Sequence, residues 1–533
     1  MRLLLTLALF AAAARAGELR GRVVDAHDGR TLPSVEVFVS AQASRGSAPP
    51  PGPQETGPRT ARSGPDGTFL IENLAPGAYQ ASFSKGGYEA RGRPSRSFEI
   101  QAENERASLQ VTLRRSPVIA GRVLDAWGDP AVGVTVQLRQ WRSAQGARQL
   151  QPLQTARTDD LGRYRMFDLR PGGYLVTATP PAAATGPGDI LYEMAPQFYS
   201  SAAGADEATT VAVDWGSTLE QIDFELHEAP PTLLLGAARD RTGTTCAGCQ
   251  ITLDTPGGLI FGIQPDEEGA FRMRGISVGP GRILARSRSG GVAYQDVFVP
   301  RDRTAEVALQ LSEGLTIQGR IELENPPDEA SAPQQETGRR RGPPKAFLRG
   351  PGVRLTRLPP FSGERYDARS VPDDEQAFQI FGVPAGEYLV TANELPGDSY
   401  AAEILANGSP LADRRLRIAA GQSALTITVR AAFDGGAIEG SVAGAEGSET
   451  DLAVVLMPAN YGGAQGYEEY SGVRNGAFQF LGVPPGAYVV AAVDRSQSFD
   501  WAAPERRALL YKAGKAVRVA PRSTQSVEAP ILE

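Results

Sequence analysis

The chain has 533 residues, a net charge of −7 and a sequence pI near 5.3. It is too long for one small domain and lacks the basic stripe of a nucleic-acid binder. Glycine (60 residues) and proline (41) are abundant, which favours a turn-rich all-β chain over a helical one, and no segment shows sustained helical periodicity. The one compact basic run, Gly338 to Lys345, lies in a proline-rich stretch, so neither nucleic acid nor an anionic membrane is expected as a partner.

The first residues, MRLLLTLALFAAAARAGE, have the layout of a secretory signal. Arg2 supplies the positive start and Leu3 to Ala13 the apolar segment. Ala14-Arg15-Ala16 places small residues where a signal peptidase reads, with cleavage expected after Ala16. No later apolar run reaches the 18 or so residues of a membrane span. The expectation is an exported protein, periplasmic or extracellular, without a transmembrane segment.

The rest of the chain repeats itself. DGTFLIENLAPGAYQASF, LGRYRMFDLRPGGYLVTA, EGAFRMRGISVGPGRILA, QAFQIFGVPAGEYLVTA and NGAFQFLGVPPGAYVVAAV are versions of one phrase. It begins at Phe69, Tyr164, Phe271, Phe378 and Phe478 and closes at Tyr79, Tyr174, Ile283, Tyr388 and Tyr488, a spacing of 95 to 109 residues. That period far exceeds the 20–50 residues of a solenoid, so each repeat is a whole domain. Within the phrase, a glycine turn precedes a strand of period two. A second alternating strand follows Pro76-Gly77, a pair that fits a type II turn.

Each repeat opens with a second shared phrase, as in LRGRVVDAHDGRTLPSVEVFV from Leu19 and IAGRVLDAWGDPAVGVTVQL from Ile119, and closes with another alternating run. About seven strands per repeat, with a turn signal every 8–12 residues, describe a sandwich of two antiparallel sheets. The expected partition is a signal at 1–16 and sandwiches at 17–115, 116–229, 230–313, 314–433 and 434–533. Two inserts rich in proline and polar residues, 41–60 and 325–345, cannot form a core of their own.

GRVVDAHDGRTLPSVEVFV followed by SGPDGTFLIENLAPGAYQASFSKGGYE resembles the carboxypeptidase regulatory-like domain. That family has a transthyretin-like (prealbumin-like) sandwich related in fold to Cna protein B-type repeats and starch-binding-like domains. The resemblance implies an all-β tandem array of five Ig-like or transthyretin-like sandwiches. It implies no activity, because the carboxypeptidase of the family name is a neighbouring catalytic domain and a scaffold does not fix a function. Some Cna B-type repeats carry a Lys–Asn isopeptide bond. With four lysines, Lys85, Lys345, Lys512 and Lys515, and none in the second and third repeats, no such ladder is expected here.

Residues that could carry chemistry are few. The only histidines, His27 and His227, stand in different repeats without a motif, and no nucleophile elbow, zinc-protease motif or phosphate loop occurs. No catalytic residue, metal or cofactor is assigned. Carboxylates precede the first phrase strand (Asp66; Asp159-Asp160; Asp266-Glu267-Glu268; Asp373-Asp374-Glu375), a pattern open to turn chemistry or to calcium. Cys246 and Cys249, the only cysteines, read most simply as a small-loop disulfide. A redox pair would need a following helix, and a zinc site would need more ligands. Exposed aromatic rings are the remaining signal. Tyr461, Tyr467 and Tyr470 in a glycine-rich loop, with Trp127 and Trp501, are candidate carbohydrate contacts. The expected function is a non-catalytic scaffold, adhesion or interaction protein with an unidentified protein partner. The alternative is a carbohydrate-binding array for an extracellular polysaccharide.

Overall fold

The computed structural model describes residues 17–41, 59–88, 95–102, 105–144, 147–240, 242–255, 258–288, 290–324, 351–358, 366–369, 377–393, 395, 399–419, 421–444, 452–459, 469–473, 476–494 and 504–532. The expected signal with Ala16, residues 42–58 and 325–345 of the two inserts, Tyr461, Tyr467 and Trp501 lie outside these. Among the described residues the fold is all-β apart from one α-helix and one 3-10 turn, and no helix is long and apolar enough to cross a membrane. The chain divides into two compact units, one of residues 1–121, 165–172 and 212–222, the other of 122–164, 173–211 and 223–533.

The first unit shows how the repeated phrases build a frame. The opening strand Gly17–Asp25 lies between the first phrase strand Thr68–Leu74, which runs antiparallel to it, and the closing strand Arg106–Leu113, which runs parallel. A second sheet has the order Arg59–Arg62, Glu36–Ala41, Gly77–Ser84, Ser95–Ile100. Leu19 and Val23, Val37 and Val39, Phe69 and Ile71, Ala81 and Phe83 alternate into one core, as period-two patterning requires. The parallel pair departs from the purely antiparallel sheets expected from sequence. First and last strands of the repeat meet side by side and point the same way, because the intervening chain crosses to the other sheet and back.

In the second unit the same three-strand frame recurs. Leu233–Arg239 is flanked by Ala270–Arg274 and Thr304–Gln310. Leu315–Glu324 is flanked by Ala377–Val383 and Leu425–Ala432, and Gly436–Val442 by Ala477–Val483 and Thr524–Ala529. In each case the first neighbour is antiparallel and the second parallel. The companion sheets centre on Gln250–Asp254 with Gly279–Arg286, Gly352–Leu358 with Gly386–Asn393, and Leu452–Pro458 with Gly486–Asp494.

Two features of this unit differ from the sequence reading. The segment after the second phrase does not stay with its own repeat. Its hairpin, Ala183–Gly186 with Asp189–Leu191, adds to the sheet of Ala270–Arg274. Leu175, Tyr192 and Phe198 share a core with Leu234, Ile251, Phe261 and Phe271. The second feature is the helix, Pro504–Ala513. Its Leu510 covers Val455, Met457, Val489 and Ala491 on the outer face of a sheet whose inner face is already packed. Leu452–Pro458 is therefore buried at every position, which explains its unbroken apolar run. The helix escapes a periodicity search because it is ten residues long and lays few apolar side chains on the sheet.

Candidate functional site

Most of the repeated residues serve the frame. In the opening strands Gly21, Gly236, Gly319 and Gly440 stand opposite Phe69, Phe271, Phe378 and Phe478. For the first three, an added Cβ would come within 2.4 Å of the ring, so the aromatic lies over bare backbone. The turn glycines Gly67, Gly162, Gly269 and Gly476 all have φ between 72° and 78°. Their carbonyls accept from Val23, Val123, Ala238 and Val442.

At the end of the first phrase strand, Asn73, Asp168, Gly275, Gly382 and Gly482 adopt φ of 53° to 71°. In the first, fourth and fifth repeats the ladder register shifts there. This is a bulge built on a left-handed residue. The glycine bends that follow, by contrast, are not type II turns. Gly77, Gly172 and Gly386 have φ of 153°, 143° and 154°, far from the roughly +80° a type II turn needs, because the bulge has already turned the chain.

The closing tyrosines act as corners. Tyr79, Tyr388 and Tyr488 donate their hydroxyls to the carbonyls of Ala75, Pro384 and Pro484 at 2.7–2.8 Å, tying the phrase back on itself as in sandwich corners generally. Buried Arg357 donates to the Tyr388 hydroxyl at 3.0 Å and lies 3.7 Å from the ring centroid of Tyr294. A lone arginine in an apolar run carries no motif, and the sequence reading passed over it.

The acidic residues also close turns. Asp66 Oδ1 accepts from the Thr68 amide and hydroxyl, Asp159 Oδ1 from the amides of Leu161 and Arg163, and Asp266 Oδ1 from the Ala270 amide. Among the described residues no group of three or more metal-ligating side chains assembles. Asp373 to Glu375 lie outside the described residues. His27 and His227 are exposed. Cys246 and Cys249 are joined as a disulfide, and both half-cystines are buried in the core beside Ile251. The bond closes the turn that enters Gln250–Asp254.

One open groove, of about 510 Å³, gathers residues of a different character. Trp127, Tyr192, Glu193, Glu228, Thr232, Leu233 and Arg274 line it. Trp127 is 68% exposed. Asp125 Oδ1 closes its turn, accepting from the amides of Trp127 and Asp129 at 3.0 and 2.9 Å. Arg274 is held by Asp189 and by the Thr185 hydroxyl. Glu193 and Glu228 lie on adjacent paired segments, both exposed. Burial pushes the Tyr192 phenol up, so it remains a neutral hydroxyl. An exposed indole in a groove also lined by two carboxylates can stack on one face of a ligand while the carboxylates hydrogen-bond its edge. Of the other sequence candidates, Tyr470 stands in Glu469–Gly472 opposite Val455.

Residues 18–114 match the family model of the carboxypeptidase regulatory-like domain. The match thus covers the first repeat, whose opening strand between an antiparallel and a parallel neighbour recurs at Leu233–Arg239, Leu315–Glu324 and Gly436–Val442. No curated protein matches the chain in sequence. Among solved structures, a streptococcal ancillary pilin is 13% identical, with a TM-score of 0.19, covering 56% of this chain and 99% of its own. The minor pilin GBS52 of Streptococcus agalactiae is 14% identical, with a TM-score of 0.23, covering 40% of this chain and 97% of its own. The major pilin subunit BcpA of Bacillus cereus is 10% identical, with a TM-score of 0.17, covering 56% and 99%.

Proposed function

We propose that the protein is an exported, non-catalytic interaction scaffold of five sandwiches, at 17–115, 116–229, 230–313, 314–433 and 434–533, released from a signal at 1–16. One observation carries this reading. The residues that recur among the repeats are spent on packing, turns and corners, so what is repeated is a support, and the surfaces that differ between repeats are left to meet partners. Several similar supports in one chain turn weak single contacts into avidity. Amino-terminal sequencing of the exported protein tests the export arm, with Gly17 as the expected first residue. Display of the exported chain on a glycan array tests the scaffold arm, and silence is expected.

The Trp127 groove supports a second reading, in which the chain binds a neutral extracellular polysaccharide. Its exposed indole and neighbouring carboxylates fit sugar faces and hydroxyls. A glycan signal that falls at least tenfold in Trp127→Ala would establish this reading in place of the first.

A further inference from the structure

The sheet edge made by the first phrase strand is closed in one repeat and open in another, and the closed one shows what fills it. Ala270–Arg274 carries the added strand Asp189–Leu191 in parallel, with Asp189 beside Arg272, Ile190 beside Met273 and Leu191 beside Arg274. Backbone bonds close both ends of this ladder. The Arg272 amide donates to the Gly188 carbonyl, and the Tyr192 amide donates to the Arg274 carbonyl. Outward side chains set its chemistry: Asp189 accepts from Arg272 and Arg274 at 3.2–3.3 Å. Gly188 is required for the approach, since a Cβ there would stand 2.5 Å from the Ala270 carbonyl.

In the fourth repeat Gln379, Ile380 and Phe381 occupy the places of Arg272, Met273 and Arg274. Ala377–Val383 ends its sheet, with no added strand among the described residues. The Gln379 amide and the Phe381 carbonyl correspond in position to those two bonding groups, on the side of the strand away from its ladder with Leu315–Glu324. Phe381 replaces the arginine that Asp189 neutralises and is 67% exposed, a large apolar ring on an unpaired edge. The fifth repeat is different: its Gln479 amide already donates to the Ser471 hydroxyl.

We propose that Ala377–Val383 accepts an extended strand from a partner protein, running parallel to it as Asp189–Leu191 runs along Ala270–Arg274, with an apolar side chain in the place of Asp189. Main-chain bonds would give the affinity and the residue against Phe381 the selectivity. The proposal rests on the scaffold reading but is tested apart from it, because the assay needs no glycan and no export.

The probe is a fluorescein-labelled peptide copying residues 186–193, carrying Asp189→Leu, titrated into the full chain by anisotropy. Saturable binding is expected, at least tenfold weaker in Phe381→Asp. In Phe381→Arg the preference should reverse, so that the peptide with its native Asp binds more tightly than the Asp189→Leu form. Phe381→Tyr, which keeps the ring, should bind like the parent and exclude a folding artefact. No saturable binding of the Asp189→Leu peptide, or binding indifferent to Phe381→Asp, would overturn the proposal. So would sedimentation showing that the chain dimerises through Phe381, which would make a second copy the occupant.

Discussion

The ring of Phe69 lies on the backbone of Gly21: a Cβ built on that glycine would stand 2.4 Å from the Phe69 Cζ and 2.5 Å from the Leu109 carbonyl. The aromatic ring fills the gap that a strand glycine leaves, and the same pairing recurs at Gly236 with Phe271 and at Gly319 with Phe378. Gly21→Ala should therefore overpack the centre of the first sheet and destabilise that domain by about 1–3 kcal/mol. Calorimetry should show the transition that carries Gly17–Asp25 lowered by roughly 4–8 °C per kcal/mol.

The tyrosine corners make a narrower prediction. Tyr488 is 1% exposed, and its hydroxyl satisfies the Pro484 carbonyl at 2.7 Å. Tyr488→Phe keeps the ring and orphans that carbonyl, at a cost of about 1–2 kcal/mol. Urea unfolding followed by hydrogen exchange in Gly486–Asp494 should register the loss. The equivalent position in the third repeat, Ile283, has no hydroxyl to lose, and Ile283→Val should produce only the small effect of one methylene.

Acid sensitivity of the first domain should centre on Asp25. Burial raises its carboxyl, but the His27 amide, the Arg115 guanidinium and the Tyr88 hydroxyl outweigh burial and hold it below the ordinary carboxylate value. Arg30 holds neighbouring Asp28 down to about 2. A carboxyl depressed in the folded state stabilises the fold above its unfolded pKa, and that contribution is lost as pH falls through the folded one. Stability should therefore decline from about pH 4 downward. In Asp25→Asn the domain should be less stable at neutral pH and its decline below about pH 4 shallower, as measured by thermal melts across pH.

The Cys246–Cys249 disulfide spans so few residues that chain-entropy arguments allow it at most about 2 kcal/mol. Replacing both cysteines with serine should leave the protein folded and lower the third domain's stability by no more than that. A larger loss would show that the buried half-cystines, packed beside Ile251, matter mainly through packing.

Strands, turn glycines and the repeat period were legible because period-two burial writes itself directly into residue order, as at Phe69 and Ile71. The corner role of Tyr79 and the left-handed bulge at Asn73 were not. The bulge depends on register with Gly17–Asp25, a strand far away in the chain, and the corner bond from Tyr79 to Ala75, although local, leaves no mark on the alternation. The parallel closing strand was hidden for the same reason, since alternation looks identical in either direction. Nothing in the residues of Ala183–Leu191 marks their pairing with Ala270–Arg274. Asp189 finds Arg272 and Arg274 more than eighty residues later. Of the groove, Trp127 stood out as a large aromatic in a polar turn, whereas Glu193 and Glu228 carry no signal until the fold sets them side by side.

Hydrogen exchange measured by mass spectrometry along the full chain tests the central claim most directly: that each repeat hangs on an opening strand bonded on both sides. The account predicts slowest exchange in Gly17–Asp25, Leu233–Arg239, Leu315–Glu324 and Gly436–Val442, each a protected island between fast turns. Opening strands that exchange as fast as the turns around Asp66 and Asp266 would contradict it.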